Sequence, residues 1–256
     1  MHKRILFTGG SGNLGQAIIK SGIFSDILFP SHEEMDISDE KKIAAFFEKN
    51  NPDAVIHCAA LVDMKEVEKN PEKALNINVL GTANLIEEIV RRERRDGKNI
   101  RFIYISTDGV YSCTRGNYSE GDETIPYNNY GWNKLGGECV THALSNFCII
   151  RTSFFDPQNI KHEFYATDKY SSRLPISYLP KAIKFLLESN FIGTINIGGK
   201  KESDYEKYKK IKPDIKPTTH EDIAKKSPIK ISRDSSLDSS LWRELTKGVK
   251  DLEIND

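Results

Sequence analysis

The stretch Ile5-Leu-Phe-Thr-Gly-Gly-Ser-Gly-Asn-Leu-Gly15 restricts the possible folds more than any other part of the chain. Ile5, Leu6 and Phe7 form a short apolar run of the kind buried on both faces of a parallel sheet, and glycines follow at positions 9, 12 and 15. The order is strand, tight turn, helix. In such a turn Gly9 permits the reversal, Gly12 lets main-chain N–H groups approach a pyrophosphate, and Gly15 lets the new helix lie close on the strand. An anion placed there meets unpaired N–H groups and the positive end of the helix dipole. Glycine-rich turns also serve as plain connections, so position carries the weight: this turn follows the first strand of an alternating chain.

The alternation runs through most of the sequence. Leu14, Ala17, Ile18 and Ile19 give a helical stripe, and Ile27-Leu28-Phe29 reads as a second strand ended by Pro30. A dinucleotide fold usually places an acidic residue here for the adenosine ribose, but Pro30, Ser31 and His32 occupy the positions, so a 2′-phosphate is not excluded. His32 reads equally as a loop residue with no cofactor contact. Met35-Asp36-Ile37-Ser38-Asp39 leads into an amphipathic helix through Ile43 and Phe47, with Ser38 or Asp39 as its cap; Asp36 has the reach for an adenine amino group. Asp53 to Ala60 is a third strand ending in small residues. Pro71 opens a long helical pattern whose end, Arg91-Arg92-Glu93-Arg94-Arg95, reads better as a solvated helix terminus complementing the dipole than as a patch for an acidic partner.

Arg101 to Ser106 is a fourth strand, with Thr107 and Asp108 just past its carboxyl end, where ligands lie in open α/β sheets. A polar loop, Ser112 to Asn129, leads to a helix near Tyr130. Phe147 to Ile150 is another strand, Leu179 to Glu188 a further amphipathic helix, and Thr194 to Ile197 a last short strand. Residues 200–230 are lysine-rich and apolar-poor, which leaves their order open.

With 256 residues the chain can form one large α/β domain, or a core with a small appendage. Lys plus Arg and Asp plus Glu both number 37, so no net field favours nucleic acid or an acidic membrane surface, and small-molecule chemistry is expected. No apolar run approaches the roughly 18 residues of a membrane-spanning helix. Met1-His2-Lys3-Arg4 leads straight into a strand without the apolar segment of a signal peptide, so a cytoplasmic protein is expected. The four cysteines show no Cys-x-x-Cys pair; they read as free thiols, and no metal site is expected.

Tyr130-Gly-Trp-Asn-Lys134 places a phenol and an ammonium one helical turn apart on one face. A phenol is a poor acid or base at neutral pH, and a neighbouring cation that stabilises the phenolate lowers its pKa. Thr107 offers a hydroxyl from the adjacent strand end. The three together have the composition of a hydride-transfer site, although a Tyr–Lys pair at this spacing also arises by chance.

Thr8-Gly-Gly-Ser-Gly-Asn-Leu-Gly15, Ser106-Thr107-Asp108 and Pro126-Tyr-Asn-Asn-Tyr-Gly-Trp-Asn-Lys-Leu-Gly-Gly-Glu138 resemble the extended short-chain dehydrogenase/reductase family, within the NAD-dependent epimerase/dehydratase superfamily. Within it the chain most resembles the dTDP-4-dehydrorhamnose reductase branch, which Met35-Asp-Ile-Ser-Asp39, Pro52 to Ala60 and Asp234-Ser-Ser-Leu-Asp-Ser-Ser240 also fit. The resemblance implies an α/β Rossmann core, a doubly wound parallel sheet over residues 1–155. A small substrate-binding region, 156–256, would interleave with the last core elements at 179–198. It implies cofactor contacts at Gly9, Ser11, Gly12, Asn13, Leu14, Gly15, Ser31, His32, Asp36, Ile37, Cys58, Ala59, Ala60, Asn78, Ser106, Tyr130 and Lys134. The implied reaction is reduction of a nucleotide-activated 4-keto sugar in sugar-nucleotide or surface-polysaccharide biosynthesis. In it Tyr130 protonates the C4 oxygen, Lys134 holds the nicotinamide ribose and lowers the Tyr130 pKa, and Thr107 orients the carbonyl. NADP(H) is expected to be preferred and NAD(H) accepted. Asp108, Arg151, Thr152 and Ser153 lie where such enzymes pass from strand to substrate pocket; for the last three, contact and a purely structural role are both open. Two departures leave the sugar undetermined: Gly109 stands where an aromatic residue is usual, and the chain between Phe155 and Leu179 is short for a substrate region. An epimerase that retains its cofactor, a non-catalytic dinucleotide-binding regulatory subunit, and a homodimer stay open. A dehydratase is disfavoured, because Asp108 is followed by glycine rather than a second acid.

Overall fold

The computed structural model describes residues 4–254; Met1, His2 and Lys3, on which part of the expectation of no leader rests, lie outside the described residues. β1 (Ile5–Thr8) passes through the glycine turn into α1 (Asn13–Ser21), followed by β2 (Ile27–Leu28), α2 (Glu40–Asn50), β3 (Ala54–His57), α3 (Met64–Lys69), α4 (Pro71–Leu75) and α5 (Gly81–Asp96). β4 (Arg101–Thr107), α6 (Asn129–Thr141) and β5 (Phe147–Thr152) complete the regular alternation. The remainder holds the short strands β6 (Phe154–Phe155), β7 (Phe164–Ala166), β8 (Tyr170–Ser171) and β9 (Leu174–Pro175), then α7 (Leu179–Glu188) and β10 (Gly193–Ile197). β11 (Glu202–Ser203), α8 (Asp204–Lys209), β12 (Lys216–Thr218), α9 (His220–Lys226) and α10 (Ser240–Leu245) end the chain.

Six strands form one parallel sheet in the order β10-β5-β4-β3-β1-β2. β1 has β2 on one side and β3 on the other, so successive crossovers leave it in opposite directions and open a crevice beyond its carboxyl end. Side chains alternate along each strand. Ile5, Phe7, Ile56, Ile103 and Ile150 therefore face α1, α7 and the fully buried Trp242, while Leu6, Val55, Phe102, Tyr104 and Ile149 face α2 and α5. Helices on both faces explain why the strands read as continuous apolar runs.

Local sequence accounts for several boundaries. Asp39 caps α2 by accepting from the N–H groups of Lys41 and Lys42 at 2.9 and 3.1 Å. The helical pattern from Pro71 is interrupted by a π-turn, Asn76–Leu80, between α4 and α5. An apolar stripe tolerates this one-residue widening, so the pattern gave no sign of it; such turns often accompany functional sites. In residues 200–230, Ser203 and Glu206 form a reciprocal capping box on α8, and Tyr165, Tyr208 and Ile215 pack together beneath it. The final segment returns to the core, where Leu237 pairs with Tyr118 and the Trp242 indole donates to Tyr178 Oη at 2.8 Å.

Candidate active site

The glycine turn after β1 is shaped by close approach. Gly9 has φ +83°, in the left-handed region, and a Cβ there would lie 2.8 Å from Ala59 N; a Cβ on Gly15 would lie 2.5 Å from Gly10 O. Gly12 differs, because a Cβ there meets only Gly9 O at 3.3 Å. It opens onto the crevice. Gly12 caps α1 without any side-chain hydrogen bond, and the first turn holds no acidic residue. The free N–H groups of Asn13 and Leu14 and the positive helix end therefore suit a pyrophosphate. Ser11, Gly12 and Asn13 are exposed around this point, and Leu14 and Gly15 are buried beneath it.

A buried relay ties this turn to the end of β3. His57 Nδ1 lies 2.6 Å from Thr8 Oγ1, and His57 Nε2 lies 2.9 Å from Thr82 Oγ1. Thr82 donates its own proton to Asn78 O at 2.7 Å, so it accepts from Nε2–H, and Nδ1 in turn accepts from Thr8. Burial pushes the imidazole down to about 3, with the Lys134 charge adding to the effect, and the ring stays neutral. Thr8 Oγ1 also accepts from the N–H groups of Cys58 and Ala59, which fixes the backbone of Cys58, Ala59 and Ala60 beside Gly9. Asn78, expected to touch cofactor, instead accepts from Leu61 N at 2.7 Å and donates to Leu61 O at 3.0 Å. It shapes the crevice wall from the π-turn.

Thr107 ends β4, and Tyr130 and Lys134 stand on α6. Asn128 Oδ1 caps α6 by accepting from Gly131 N at 2.8 Å. A side chain on Gly131 would overlap Gly109 O, so only glycine lets the first turn of α6 rest on the backbone following Thr107. Thr107 Oγ1 donates to Asp108 Oδ1 and accepts from Gly109 N, both at 3.1 Å. To donate to a substrate oxygen, the hydroxyl must turn away from Asp108. Tyr130 is half-buried, and burial raises its pKa, with Cys58, Asp108 and Tyr127 adding to the rise. The expectation that Lys134 lowers it is corrected here. Lys134 is itself buried, is pushed down to about 8, and places its ammonium 4.1 Å over the Tyr104 ring. Desolvation is the leading cause of both shifts.

On the substrate side, two expectations change. Arg151 donates through Nε and Nη2 to Glu138 and through Nη1 to Tyr111 Oη at 2.7 Å, so its guanidinium is spent inside the protein. Thr152 donates to Ile197 O at 2.8 Å and is buried. Both are structural. Ser153 is half-buried, and its carbonyl accepts from Leu174 N. Ser106 donates to Glu138 Oε1 at 2.5 Å, which ties the strand carrying Thr107 to the helix carrying Tyr130. Glu138, Thr82 and His57 were not singled out from the sequence; Glu138 is two turns beyond Tyr130 on the same helix face, the one signal that pointed to it.

On the adenosine side, Ser31 N donates to Glu34 Oε2 at 2.8 Å, and Glu34 N donates back to Ser31 Oγ at 3.2 Å. A carboxylate therefore does stand at this position, brought by the turn rather than by the strand end. His32 pairs with Asp36 at 3.2 Å, and Asp36 accepts from the Ser38 N–H and hydroxyl, so its oxygens are engaged in the turn before α2. Ile37 is buried against Gly81. Among the described residues no cluster of His, Cys, Asp and Glu is arranged to hold a metal, and no helix is long and apolar enough to cross a membrane.

The model of the RmlD substrate binding domain family matches residues 3–167. The dTDP-4-dehydrorhamnose reductase of Mycolicibacterium smegmatis is 31% identical over 172 residues, 65% of this chain and 50% of that protein. The methionine adenosyltransferase 2 subunit beta of Xenopus tropicalis is 31% identical over 159 residues, 58% of this chain and 46% of the relative. The match thus spans about half the length of these curated relatives. A crystal structure of dTDP-4-dehydrorhamnose reductase from Bacillus anthracis in complex with NADP has the same fold, with a TM-score of 0.83 at 23% identity over 95% of this chain and 93% of that one.

Proposed function

Since the chain belongs to the RmlD substrate-binding-domain family of the epimerase/dehydratase superfamily, we propose that it is an NADPH-dependent reductase of a nucleotide-activated 4-keto sugar. The observation that carries this reading is a convergence at one edge of a parallel sheet. There the uncapped N-terminus of α1 lies past β1, Thr107 ends β4, and the first turn of α6, which carries Tyr130 and is followed one turn on by Lys134, rests on Gly109. The uncapped helix end would hold the pyrophosphate, the backbone from Cys58 to Ala60 would line the cofactor site, and Lys134 would hold the nicotinamide ribose. When bound, the reduced nicotinamide supplies the hydride.

The chain's own residues manage the proton. Reduction leaves a developing alkoxide on C4, and Tyr130 donates its phenolic proton to that oxygen. The phenol is protonated at neutral pH, and the C4 alkoxide is the stronger base, so the proton moves in this direction. Thr107, turned from Asp108, donates to the same oxygen and orients it.

The test is to incubate the protein with a panel of nucleotide 4-keto sugars and each reduced nicotinamide, following cofactor absorbance. Native protein should oxidise NADPH only with substrate present. Tyr130→Phe should keep cofactor affinity and lose roughly 10²-fold or more of the turnover, the usual cost of a missing general acid. Native-rate turnover by Tyr130→Phe would reject this mechanism. The resemblance to an adenosyltransferase subunit favours a second reading, a dinucleotide-binding subunit without turnover. Tight NADPH binding with no activity on any sugar nucleotide would select it.

A further inference from the structure

Arg173 lies between β8 and β9, where Lys207 Nζ donates to its carbonyl at 3.0 Å and the following N–H, that of Leu174, reaches Ser153 O just past β5. The residue is therefore at the carboxyl edge of the sheet, the edge that carries Thr107. Its charge acts on Asp108 and Tyr127, two of the three groups that raise the Tyr130 pKa. A guanidinium offers five N–H donors and keeps its charge throughout the accessible pH range. Among the described residues the Arg173 guanidinium makes one hydrogen bond, from Nη1 to Tyr208 Oη at 3.3 Å, and its buried Nε has no partner.

The nearby acids are committed elsewhere. Asp204 pairs with Lys169 at 2.7 Å and accepts from Ser171 at 3.4 Å, while Asp108 accepts from Thr107. Asp204, Asp108 and Glu202 offset Lys169, Lys207 and Arg173 in number, but each acid already has another partner, Glu202 being held by Lys210. Among the described residues the three buried arginines are more fully engaged: Arg92 pairs with Glu88 and Glu48, Arg151 pairs with Glu138, and Arg101, at the opposite end of β4, donates to Asn146 Oδ1 and to the carbonyls of Leu186 and Phe191, although its Nε too lacks a partner. A desolvated guanidinium with free donors beside a reaction site is suited to a two-oxygen anion bound through paired hydrogen bonds.

We propose that Arg173 receives an oxyanion of the substrate in the cleft beside Tyr130, and so selects which keto sugars the site accepts. This rests on the reductase reading and deepens it. The oxyanion is either a phosphoryl group of the nucleotide diphosphate or a carboxylate carried by the sugar, and both present the same chemistry to the guanidinium. The experiment uses the NADPH-saturated full chain as native protein, Arg173→Gln and Arg173→Lys, with calorimetric titration of dTDP, thymidine and glucuronate, and with KM and kcat for the accepted keto sugar. For Arg173→Gln, binding of dTDP or of glucuronate should weaken about tenfold or more, and KM should rise with it. Thymidine affinity, NADPH affinity and the melting temperature should hold, and Arg173→Lys should recover part of the loss. Loss on dTDP identifies the diphosphate as the source, and loss on glucuronate identifies a sugar carboxylate. Binding of both probes at native strength by Arg173→Gln, or no binding of either by native protein, would overturn the inference. An active native enzyme with unchanged probe binding in the variant rejects this inference alone. A native protein without turnover, whose probe binding is lost in the variant, rejects the reductase reading alone.

Discussion

Glu138→Ala should damage this protein more than any change to an exposed charge, and the structure sets the size. The Glu138 carboxylate accepts Ser106 Oγ at 2.5 Å, Arg151 Nε at 3.0 and 3.2 Å on its two oxygens, and Arg151 Nη2 at 2.7 Å. Glu138 is 2% exposed and Arg151 7%. Removing the carboxylate leaves Arg151 charged in the interior, since a guanidinium cannot shed its proton there. Breaking one side of such a pair costs about 3–5 kcal/mol, a fall of roughly 10²- to 10⁴-fold in the ratio of folded to unfolded protein. For a chain of this length that is a drop of about 6–20 °C in Tm. Urea denaturation of native protein, Glu138→Ala, Arg151→Met and the double variant measures it. The double variant should be more stable than the sum of the single losses allows, because it buries no unpaired charge. Ser106 adjoins Thr107, so Glu138→Ala should also lower kcat. A Glu138→Ala midpoint within about 1 kcal/mol of native, or strictly additive losses, would refute this account of the pair.

Gly12→Val should abolish NADPH binding and keep a cooperative melt, because its Cβ meets only Gly9 O at 3.3 Å and then projects into the crevice; normal binding would show that the turn does not cradle phosphate. Gly15→Val should instead lower the melting temperature, since its Cβ would lie 2.5 Å from Gly10 O. Lys134 is held down to about 8 against an ordinary 10.5. Between those values the unfolded chain carries the proton and the folded chain does not, so stability rises with pH across that window. The proposed ribose contact, which needs the ammonium, should weaken over the same range. NADPH affinity should therefore decline as pH passes about 8, and Lys134→Met should be weaker throughout and lack that slope; an equal slope in both would assign the titration to another group. Glu34→Gln should improve NADPH binding relative to NADH, because it removes the carboxylate that Ser31 N now holds. An unchanged ratio would mean that the 2′-phosphate lies away from Ser31.

The two halves of the site respond to different physics. In the proposed reaction the cofactor would be recognised by backbone groups at the ends of β1 and β3, fixed by the His57 relay, and changes to side chains there would act through the shape of the crevice. Proton delivery would depend on one phenol whose environment is set by burial and by Cys58, Asp108 and Tyr127. Substitutions at Asp108 should thus move the pH dependence of turnover more than the affinity for NADPH.

What the sequence determined by itself is local. The glycine spacing specified a strand, a turn and a helix, because each glycine answers a steric demand within a few residues. The Asp39 cap and the common face of Tyr130 and Lys134 follow in the same way from hydrogen-bond reach and helical period. The tertiary structure decided everything that depends on groups distant along the chain. Arg151 and Thr152 sit at a strand end that reads as a substrate edge, yet Glu138, Tyr111 and Ile197 claim their polar atoms. Asn78 turns toward Leu61 through a π-turn that a hydrophobic stripe does not register, and Glu34 returns a carboxylate to a position where the strand end has none. The phenol's pKa illustrates the division most directly. The i, i+4 spacing put a cation on the same helix face, and only the packing of α6 on Gly109 and β4 supplied the desolvation that raises the pKa, because removing water penalises the phenolate.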